Sequence, residues 1–351
     1  MSAVSASPSA LPDMPLPALA GQLIFGFAST MIILAADELG VFATLNEDGA
    51  MSAEELAPRI GANADALARL LNACVSYGLL SRDGEGRYDL TELSRNHFVP
   101  GTLGFMGGFF NHIRRELLAL WQNLAHAVRE NKPQWDRLPG GPGKGVFEAI
   151  YAEEEGVRTF MESMFSGSYG PSLEHAQRFD FSRFRHVCDV GGATGPFLAA
   201  VLPQFPELRA TIFDLAPVEK HARATMEKFG LGDRVDFHAG NFFTDALPVG
   251  PDLFVLGHIL HDWDKEQGTV ILRKIYEALP EGGAVYIAEF LFNDDKASPP
   301  PTVFMDINML CATTGRERSA AEYEGWLREI GFSRTEHGMC EGPKSFVVGY
   351  K

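Results

Sequence analysis

The stretch Val187-Cys-Asp-Val-Gly-Gly-Ala-Thr-Gly195 decides the fold of this chain. Its first four residues read as an apolar strand, and glycines stand at positions 191, 192 and 195 of the turn before Pro196 opens an apolar helix. Glycine lets the backbone turn sharply and approach a ligand closely. The spacing is GGxxG and not the GxGxxG that binds a pyrophosphate, so the motif disfavours an NAD oxidoreductase, which stays a rival interpretation.

Apolar, strand-like runs alternate with helical stretches after this turn. The runs cover residues 186–190, 209–215, 235–238, 252–256 and 284–290. This alternation predicts a Rossmann-like, doubly wound α/β domain with a mostly parallel sheet over residues 181–351. Runs at 333–339 and 345–350 follow a helix opened by the capping box of Ser319 and Glu322, and we expect them to form an antiparallel edge of the sheet.

The residues before this domain divide into three parts. Residues 1–14, rich in Ser, Ala and Pro, read as a disordered leader. Residues 15–100 predict an all-α and winged-helix domain: a helix from the capping box of Ser52 and Glu55 to Gly61, a second helix over 64–77, and a hairpin with its turn at 83–86. Residues 101–180 read as a helical linker and substrate-pocket region, in which residues 139–145 form a linker or lid.

Charge and cysteine content limit the possible partners. A net charge of -16 and a pI near 5.1 disfavour nucleic acid and membrane surfaces, so we expect a small-molecule substrate. Residues 52–97 hold five Arg, no Lys and seven acidic residues, which disfavours DNA binding and a transcriptional regulator. The cysteines, at 74, 188, 311 and 340, lack the spacing of a zinc site or a disulfide framework, and the expected location is the cytoplasm.

Residues 14–36 contain no charged side chain and are long enough to cross a bilayer. Pro15, Pro17 and Gln22 interrupt the segment, and no Lys or Arg precedes Arg59, whereas membrane anchors and signal peptides carry basic flanks. We therefore expect a buried helix or a subunit interface here.

Polar residues follow the predicted strands, where open α/β sheets bind their ligands. Asp214, 25 residues after Asp189, is placed to accept hydrogen bonds from ribose hydroxyls. Asn241 and Phe242 follow the third strand and could bracket a base. His261, in Leu-His-Asp-Trp263 after the fourth strand, has Glu289 and Glu317 as acids that could orient a general base.

Together the DVGG-x-TG, LHDW and GRER segments resemble those of the S-adenosylmethionine-dependent O-methyltransferases of the plant caffeate and hydroxyindole type, which include bacterial enzymes of secondary metabolism. The resemblance covers residues 20–351. It implies a homodimer formed through the N-terminal domain, S-adenosyl-L-methionine as cofactor, and His261 as catalytic base oriented by Glu289 and Glu317. The cofactor site implied is Asp189, Gly191, Gly192, Gly195, Asp214, Leu215, Asn241, Phe242 and Gly257.

The chain departs from that family at three positions. Ala193 replaces the third glycine of DVGGGTG, Asn241 stands where an acid is usual, and Gly257 replaces a Lys that commonly lies four residues before the catalytic His. We expect the first change to leave binding intact and the other two to alter cofactor contacts.

The expected reaction is methyl transfer to a hydroxyl of a small, aromatic secondary metabolite. Methylation at carbon or nitrogen of a small molecule is the alternative, and a cofactor-binding relative without activity is a third possibility. No metal is expected: His258 and His261 form HxxHD with Asp262, but residues three apart near a strand end lie on opposite faces unless the backbone turns. Candidate acceptor-pocket residues, which could equally be ordinary core, are Phe109, Phe160, Met164, Asp262, Met305, Asn308 and Met309.

Overall fold

The computed structural model of the protein describes residues 16–138, 147, 150–151 and 153–351. The predicted leader at 1–14 and the predicted linker or lid at 139–145 lie outside the described residues. The chain divides into two compact units, Met1–Gly107 and Gly108–Lys351. Our division of the chain at residues 14, 100 and 180 stays a prediction.

The first unit is helical and carries one small hairpin. Its apolar core includes Phe42, Leu45, Leu56, Leu71 and Tyr88, all at most 2% exposed. The elements are α1 (Leu16–Ile24), α2 (Gly26–Glu38), α3 (Val41–Asp48), α4 (Ala53–Ile60), α5 (Ala64–Ser76), β1 (Leu80–Arg82), β2 (Tyr88–Leu90) and α6 (Glu92–His97).

Local sequence signals explain the boundaries of these elements. The Ser52 hydroxyl accepts from the Glu55 amide and the Glu55 carboxylate accepts from the Ser52 amide, which starts α4; Gly61, at φ 67°, ends it. The Asn63 side chain accepts from the Ala66 amide and caps α5. The predicted hairpin forms, with Leu80 paired to Leu90 and Arg82 to Tyr88.

The apolar segment at 14–36 departs from one expectation. It contains two helices, α1 and α2, and Leu23, Ile24, Phe25, Phe27 and Met31 are 46% to 70% exposed, so the buried-helix prediction is wrong for these side chains. No single helix among the described residues is long and apolar enough to cross a membrane; α2 and α3 meet the length and hydropathy requirement only as a pair bent by 53°. A cluster of exposed apolar side chains is typical of a protein interface.

The second unit contains the sheet and the helices that cover it. Its parallel strands are β3 (His186–Val190), β4 (Arg209–Asp214), β5 (Val235–Ala239), β6 (Leu253–Gly257) and β7 (Ala284–Glu289), and β10 (Arg334–Gly338) and β11 (Ser345–Tyr350) complete it. The order is β10-β11-β7-β6-β3-β4-β5, with β11 antiparallel to β7 and β10 antiparallel to β11. The doubly wound sheet and its antiparallel edge are confirmed.

Helices flank this sheet on both faces because its strands are apolar on both sides. A short strand pair, β8 (Leu291–Phe292) with β9 (Arg318–Ser319), lies outside the main sheet. The helices of the unit are α7 (Gly107–His112), followed by a π-helical turn at Ile113–Leu117, α8 (Leu118–Gln122), α9 (Leu124–Glu130), α10 (Glu154–Arg178), α11 (Pro196–Val201), α12 (Glu219–Lys228), α13 (Lys265–Ala278), α14 (Pro300–Ala312) and α15 (Ala320–Ile330).

The alternation of side chains along each strand builds two separate cores. Val187 and Tyr286 face a core shared with α10, α11 and α12. Cys188 and Ile287, one residue along, face a core shared with α13 and α15. The sheet and the helices on its two faces form three layers. The carboxyl ends of the strands emerge at one edge of these layers and carry the polar residues predicted to bind ligands.

Candidate active site

The site lies where the strand order reverses. From β3 the chain proceeds outward to β4 and β5 and then returns to β6 on the other side of β3. The loops after β3 and β6 therefore diverge, and a crevice opens outside the carboxyl ends of these strands. The glycine turn follows β3, Asp214 ends β4, His261 lies in a short 3-10 turn (Leu260–Asp262) after β6, and Glu289 ends β7.

The glycine turn brings bare backbone to this crevice. Gly191 and Gly195 have φ of 70° and 75°, in the left-handed region that glycine adopts without strain. A Cβ on Gly191 would lie 2.3 Å from Ile259 Cδ1, so this position accepts no side chain without rearrangement. Ala193 shares the left-handed conformation, at φ 48°, which costs an L residue about 1 kcal/mol.

Two carboxyls lie beneath the turn. Asp214 Oδ2 accepts from the Ala193 amide at 2.8 Å and Oδ1 from the Leu215 amide at 2.7 Å, so backbone donors fix its direction. Burial raises the pKa of Asp214 to about 6 against those two hydrogen bonds. Burial and the neighbouring Asp214 raise the pKa of Asp189 to about 7. A cationic ligand in this crevice would relieve both penalties.

The loop after β5 places the predicted base-binding pair. Asn241 Oδ1 accepts from the Phe243 amide at 2.9 Å, so this oxygen shapes the turn, and its amide nitrogen stays available to a ligand. The Phe242 ring packs edge to face against Phe243 and Trp263, at 4.8 and 6.1 Å between centroids. Lys274 Nζ donates to the Phe242 carbonyl at 2.7 Å and fixes the loop.

The three predicted catalytic side chains come together, and all are buried. His261 Nδ1 lies 2.7 Å from Glu317 Oε1 and 3.6 Å from Glu289 Oε2. The other oxygen of Glu289 accepts from the Ile259 and Leu260 amides at 3.0 Å each, which fixes this carboxylate against the turn that carries His261. A ring that donates from Nδ1 to Glu317 keeps a lone pair on Nε2, and that nitrogen can accept a proton.

Burial dominates the electrostatics of this cluster. It raises the pKa of Glu289 to about 7, and it raises the pKa of Glu317 well above its usual range. Oε2 of each glutamate has no hydrogen-bond partner among the described residues. These three side chains offer ligand atoms within 4.8 Å of one another. A direct hydrogen bond of 2.7 Å is nevertheless shorter than the separation of about 3.3 Å between two ligands of one tetrahedral ion.

The backbone turns between His258 and His261, which is the condition under which an HxxH pair can share one face. His258 has a φ of 58°, so the backbone turns directly after β6 and the following residues are not extended. The His258 and His261 rings consequently stack, with centroids 4.9 Å apart and planes 24° apart, and the Phe290 ring also stacks on His258, with centroids 5.3 Å apart. No sequence signal predicts this turn, because a left-handed histidine is uncommon.

A wall of aromatic rings extends from Trp263. The ring centroids of Trp263 and Phe147 lie 5.8 Å apart, and those of Phe147 and Phe160 lie 6.3 Å apart. The ring centroids of Phe160 and His112 lie 5.9 Å apart, and those of His112 and Phe109 lie 6.2 Å apart. Two of the predicted pocket residues, Phe109 and Phe160, therefore belong to one continuous cluster.

The remaining predicted pocket residues lie in α10, on α14 and beside His261. Asn308 Oδ1 accepts from Trp121 Nε1 at 2.9 Å, and its amide nitrogen lies 3.9 Å from Met305 Sδ. Met309 is buried, with Sδ 3.7 Å from the Thr313 hydroxyl, which is the environment of a core residue. Asp262 Oδ1 lies 3.7 Å from His261 Nε2, and Met164 is partly buried in α10.

Two further side chains at the site escaped the sequence analysis. Tyr151 is partly buried, and burial, followed by the negative charges of Asp214 and Asp262, raises the pKa of its hydroxyl well above its usual range. Lys344 is 5% exposed and interacts with Glu289 and Glu317. A single Tyr or Lys outside any motif carries no signal of such a position.

Family and structural comparisons agree with this geometry. Residues 121–333 match the O-methyltransferase domain, and residues 21–100 match the O-methyltransferase dimerisation domain. A 3-hydroxy-5-methyl-1-naphthoate 3-O-methyltransferase from Streptomyces sahachiroi is 36% identical over 342 residues, 97% of each chain. The acetylserotonin O-methyltransferase of Bos taurus is 33% identical over 334 residues, 93% of this chain and 95% of the relative.

One solved structure extends the similarity to three dimensions. Human N-acetylserotonin methyltransferase, solved in complex with S-adenosylmethionine, superposes with a TM-score of 0.88 at 30% identity and covers 98% of this chain and 99% of its own. The resemblance indicated by the sequence motifs is confirmed.

Proposed function

This chain belongs to the family of S-adenosylmethionine-dependent O-methyltransferases, and from that premise we propose that it methylates a phenolic hydroxyl of a flat aromatic metabolite, with His261 as general base. The observation that carries the proposal is the buried cluster in which Glu317 holds His261 Nδ1 at 2.7 Å and Nε2 is left to accept a proton. Glu289 and Glu317 act as its orienting acids.

The crevice fits S-adenosylmethionine in three respects. The turn at Gly191 and Gly195 has no room for a Cβ, which would contact Ile259 at the first position and Met226 at the second, and a Cβ on Gly257 would meet no atom within 4 Å. Asp214 keeps lone pairs for ribose hydroxyls while backbone amides fix its direction. The raised pKa values of Asp189 and Asp214 mark two carboxyls that would gain from a cationic ligand. We assign Gly192, Leu215, Asn241 and Phe242 to the same binding site.

When bound, the cofactor supplies an electrophilic methyl group on a cationic sulfur. The protein has to align the acceptor, exclude water and remove a proton. A phenol with a pKa of about 10 is mostly protonated at neutral pH, so proton transfer to His261 Nε2 supplies the oxyanion. Two adjacent carboxylates stabilise the imidazolium that results, and Asp262, 3.7 Å from Nε2, lies on the acceptor side.

The aromatic wall supports a flat acceptor. Phe109 and Phe160 contribute rings that can stack on a planar ligand, and Met164 and Met305 contribute adaptable thioether side chains. The relatives named above act on a hydroxynaphthoate and on acetylserotonin, both aromatic. Asn308 orients the acceptor by a polar contact beside this wall, and Met309 supports that part of α14 from the core.

We further infer that the protein is a homodimer formed through its first unit. Residues 21–100 match a dimerisation domain, and the exposed side chains Leu23, Ile24, Phe25, Phe27 and Met31 supply apolar surface for it. Sedimentation equilibrium of the protein and of a Phe25→Ser, Phe27→Ser variant tests this: dimer for the first and monomer for the second supports the interface, and two monomers refute it.

A matched set of acceptors tests the reaction. Purified protein with S-adenosylmethionine is offered 2-naphthol, 2-naphthylamine and 2-methoxynaphthalene, and methylated product and S-adenosylhomocysteine are quantified by mass spectrometry. We expect product from the naphthol alone, because only it carries an ionisable hydroxyl. Faster methylation of the amine would support the nitrogen alternative, and calorimetric binding of NAD without binding of S-adenosylhomocysteine would contradict the cofactor assignment.

A further inference from the structure

Lys344 is a buried cation that the reaction as described does not use. It directly precedes β11, whose first residue, Ser345, pairs with Glu289 at the end of β7. The register therefore places Lys344 just beyond the strand end that supplies an orienting acid. The side chain is 5% exposed, and its Nζ donates to the Ser168 hydroxyl of α10 at 3.0 Å, a neutral partner and not a carboxylate.

The charges around His261 need a balancing cation. Glu289 is 0% and Glu317 1% exposed, and each has an oxygen without a hydrogen-bond partner among the described residues. Two buried carboxylates beside a neutral imidazole carry a large desolvation penalty unless positive charge is near. Arg318 contributes to Glu317, but its guanidinium is directed at the Leu260 and Trp263 carbonyls, each at 3.0 Å. Lys344 favours the ionised form of both glutamates.

We propose that Lys344 is a positioning residue for methyl transfer: its buried ammonium opposes the effect of burial and favours the ionised forms of Glu289 and Glu317, the forms that can accept from His261 Nδ1. This inference rests on the proposed role of His261. The ionised glutamates then hold Nδ1–H, and Nε2 stays free to take the acceptor proton. Lys344 acts through Glu289 and Glu317 and does not need to touch the acceptor.

The remaining groups packed against Lys344 leave it as the source of positive charge. Burial lowers the pKa of His175 in α10 to about 4, and burial also holds the pKa of His258 well below its usual range, so both rings are neutral. Glu174 is already engaged by Arg178 and by the Glu341 and Gly342 amides. The groups that interact with Lys344 are Ser168 and His175 of α10, His258 after β6, Glu289 of β7, and Glu317.

The pH range of the effect follows from the sign of the shift. Burial lowers the pKa of Lys344 to about 7, while Glu289 and Glu317 oppose the decrease. The ammonium is therefore charged below about pH 7 and loses its proton above it. Without that charge, His261 and its two glutamates take up protons at a higher pH. The difference in kcat/KM between wild type and a neutral variant is therefore largest below pH 7 and becomes smaller as pH rises.

Neutral and charged replacements separate charge from packing. Lys344→Met and Lys344→Gln remove the charge, Lys344→Arg retains it, and Lys351→Met is the matched control, since Lys351 lies at the opposite end of β11 and bonds to the Tyr276 and Leu279 carbonyls. Calorimetric binding of S-adenosylhomocysteine and a melting curve establish that each variant is folded.

Two readouts test the proposal. The first is the acidic limb of the pH profile of kcat/KM for methyl transfer. The second is the NMR titration of the His261 ring proton in ligand-free protein, identified by comparison with His261→Ala. For both neutral variants we expect each midpoint to rise by about one pH unit, the size expected for one charge removed within about 10 Å at an effective dielectric constant of about 20.

The arginine and Lys351 variants should keep wild-type midpoints. Unchanged midpoints in the folded neutral variants would overturn the proposal, as would an equal loss of rate at every pH, which marks a packing defect. If no acceptor is methylated by the wild type, the proposed function fails, yet the ring titration still decides whether Lys344 controls the protonation of the cluster.

Discussion

The strand ends of the second unit and the helical region before them both line the crevice, but different interactions hold their side chains in place. At the strand ends, backbone amides fix carboxylates: Asp214 accepts from Ala193 and Leu215, and Glu289 accepts from Ile259 and Leu260. In the helical region, rings from Phe109 to Phe160 hold one another by edge contacts of about 6 Å. Directed hydrogen bonds fix charge, whereas packed rings fix shape, so we expect the first to govern the reaction and the second to govern the choice of acceptor.

The cofactor side of this comparison should show the largest change in ligand affinity. Asp214→Asn should weaken binding of S-adenosylhomocysteine by about 100-fold, because hydrogen bonds from ribose to a charged acceptor contribute about 1.5–3 kcal/mol each. Titration calorimetry measures the change. Asp252→Asn is the matched control, since Asp252 also accepts from two amides, those of Arg185 and His186, but at the amino-terminal end of β3. Equal losses in both variants would contradict the assignment.

The base side should respond in kcat and not in cofactor affinity. Glu317→Gln keeps an acceptor for His261 Nδ1 but removes the charge that stabilises the imidazolium, so we expect kcat to fall between about 10- and 100-fold. Glu324→Gln alters the exposed pair with His337, 2.8 Å apart, and should leave kcat unchanged. A steady-state comparison in which Glu317→Gln retains wild-type kcat would remove this glutamate from the mechanism.

Asp189, the buried carboxyl below the glycine turn, should lower the stability of the ligand-free protein when it is ionised. The pKa of Asp189 is raised from 3.8 to about 7, so the penalty is absent below pH 3.8, grows as pH rises, and is complete above about pH 7. Asp189→Asn should raise the Tm of ligand-free protein at pH 8 by about 3 °C or more, and by less at pH 5. Asp180→Asn, at an exposed cap, should show no such gain, and a pH-independent effect at Asp189 would refute the burial argument.

The helical side should give the smallest change, and it should be selective. Phe160→Leu removes a ring from the wall while leaving the strand ends intact, so we expect the KM for an aromatic acceptor to rise about 3- to 10-fold with cofactor affinity unchanged. Phe165→Leu is the control on the same helix, because Phe165 stacks on Tyr169 at 5.4 Å, away from this wall. Acceptor kinetics that change equally in both variants would mean that Phe160 is ordinary core.

The same contrast explains what the sequence could and could not predict. Strands and the Gly191 turn were predictable because periodicity and glycine are local signals, and the capping boxes at Ser52 and Ser319 marked helix starts within a residue. The position of Lys344 was not predictable, because Lys344 and Glu289 are 55 residues apart along the chain. Only the pairing of β11 with β7 brings them together. His258 required a left-handed backbone that histidine seldom adopts.

The exposed apolar side chains of α1 and α2 show a further limit. Hydropathy alone cannot distinguish a helix buried in its own chain from one that covers a partner, since both are apolar. Leu23 and Phe27 are each 65% exposed in the folded chain, and this exposure, which is known only from the structure, shows that they do not pack in the chain's own core.

The role of His261 as general base is best tested by single-turnover methyl transfer with His261→Ala, with His337→Ala as the surface control and S-adenosylhomocysteine affinity measured on the same preparations. We expect His261→Ala to bind the product like wild type and to transfer the methyl group about 10³-fold more slowly to a phenol, within the range that general bases contribute. A folded His261→Ala protein with wild-type affinity and wild-type rate would show that the buried cluster around His261 does not carry the reaction.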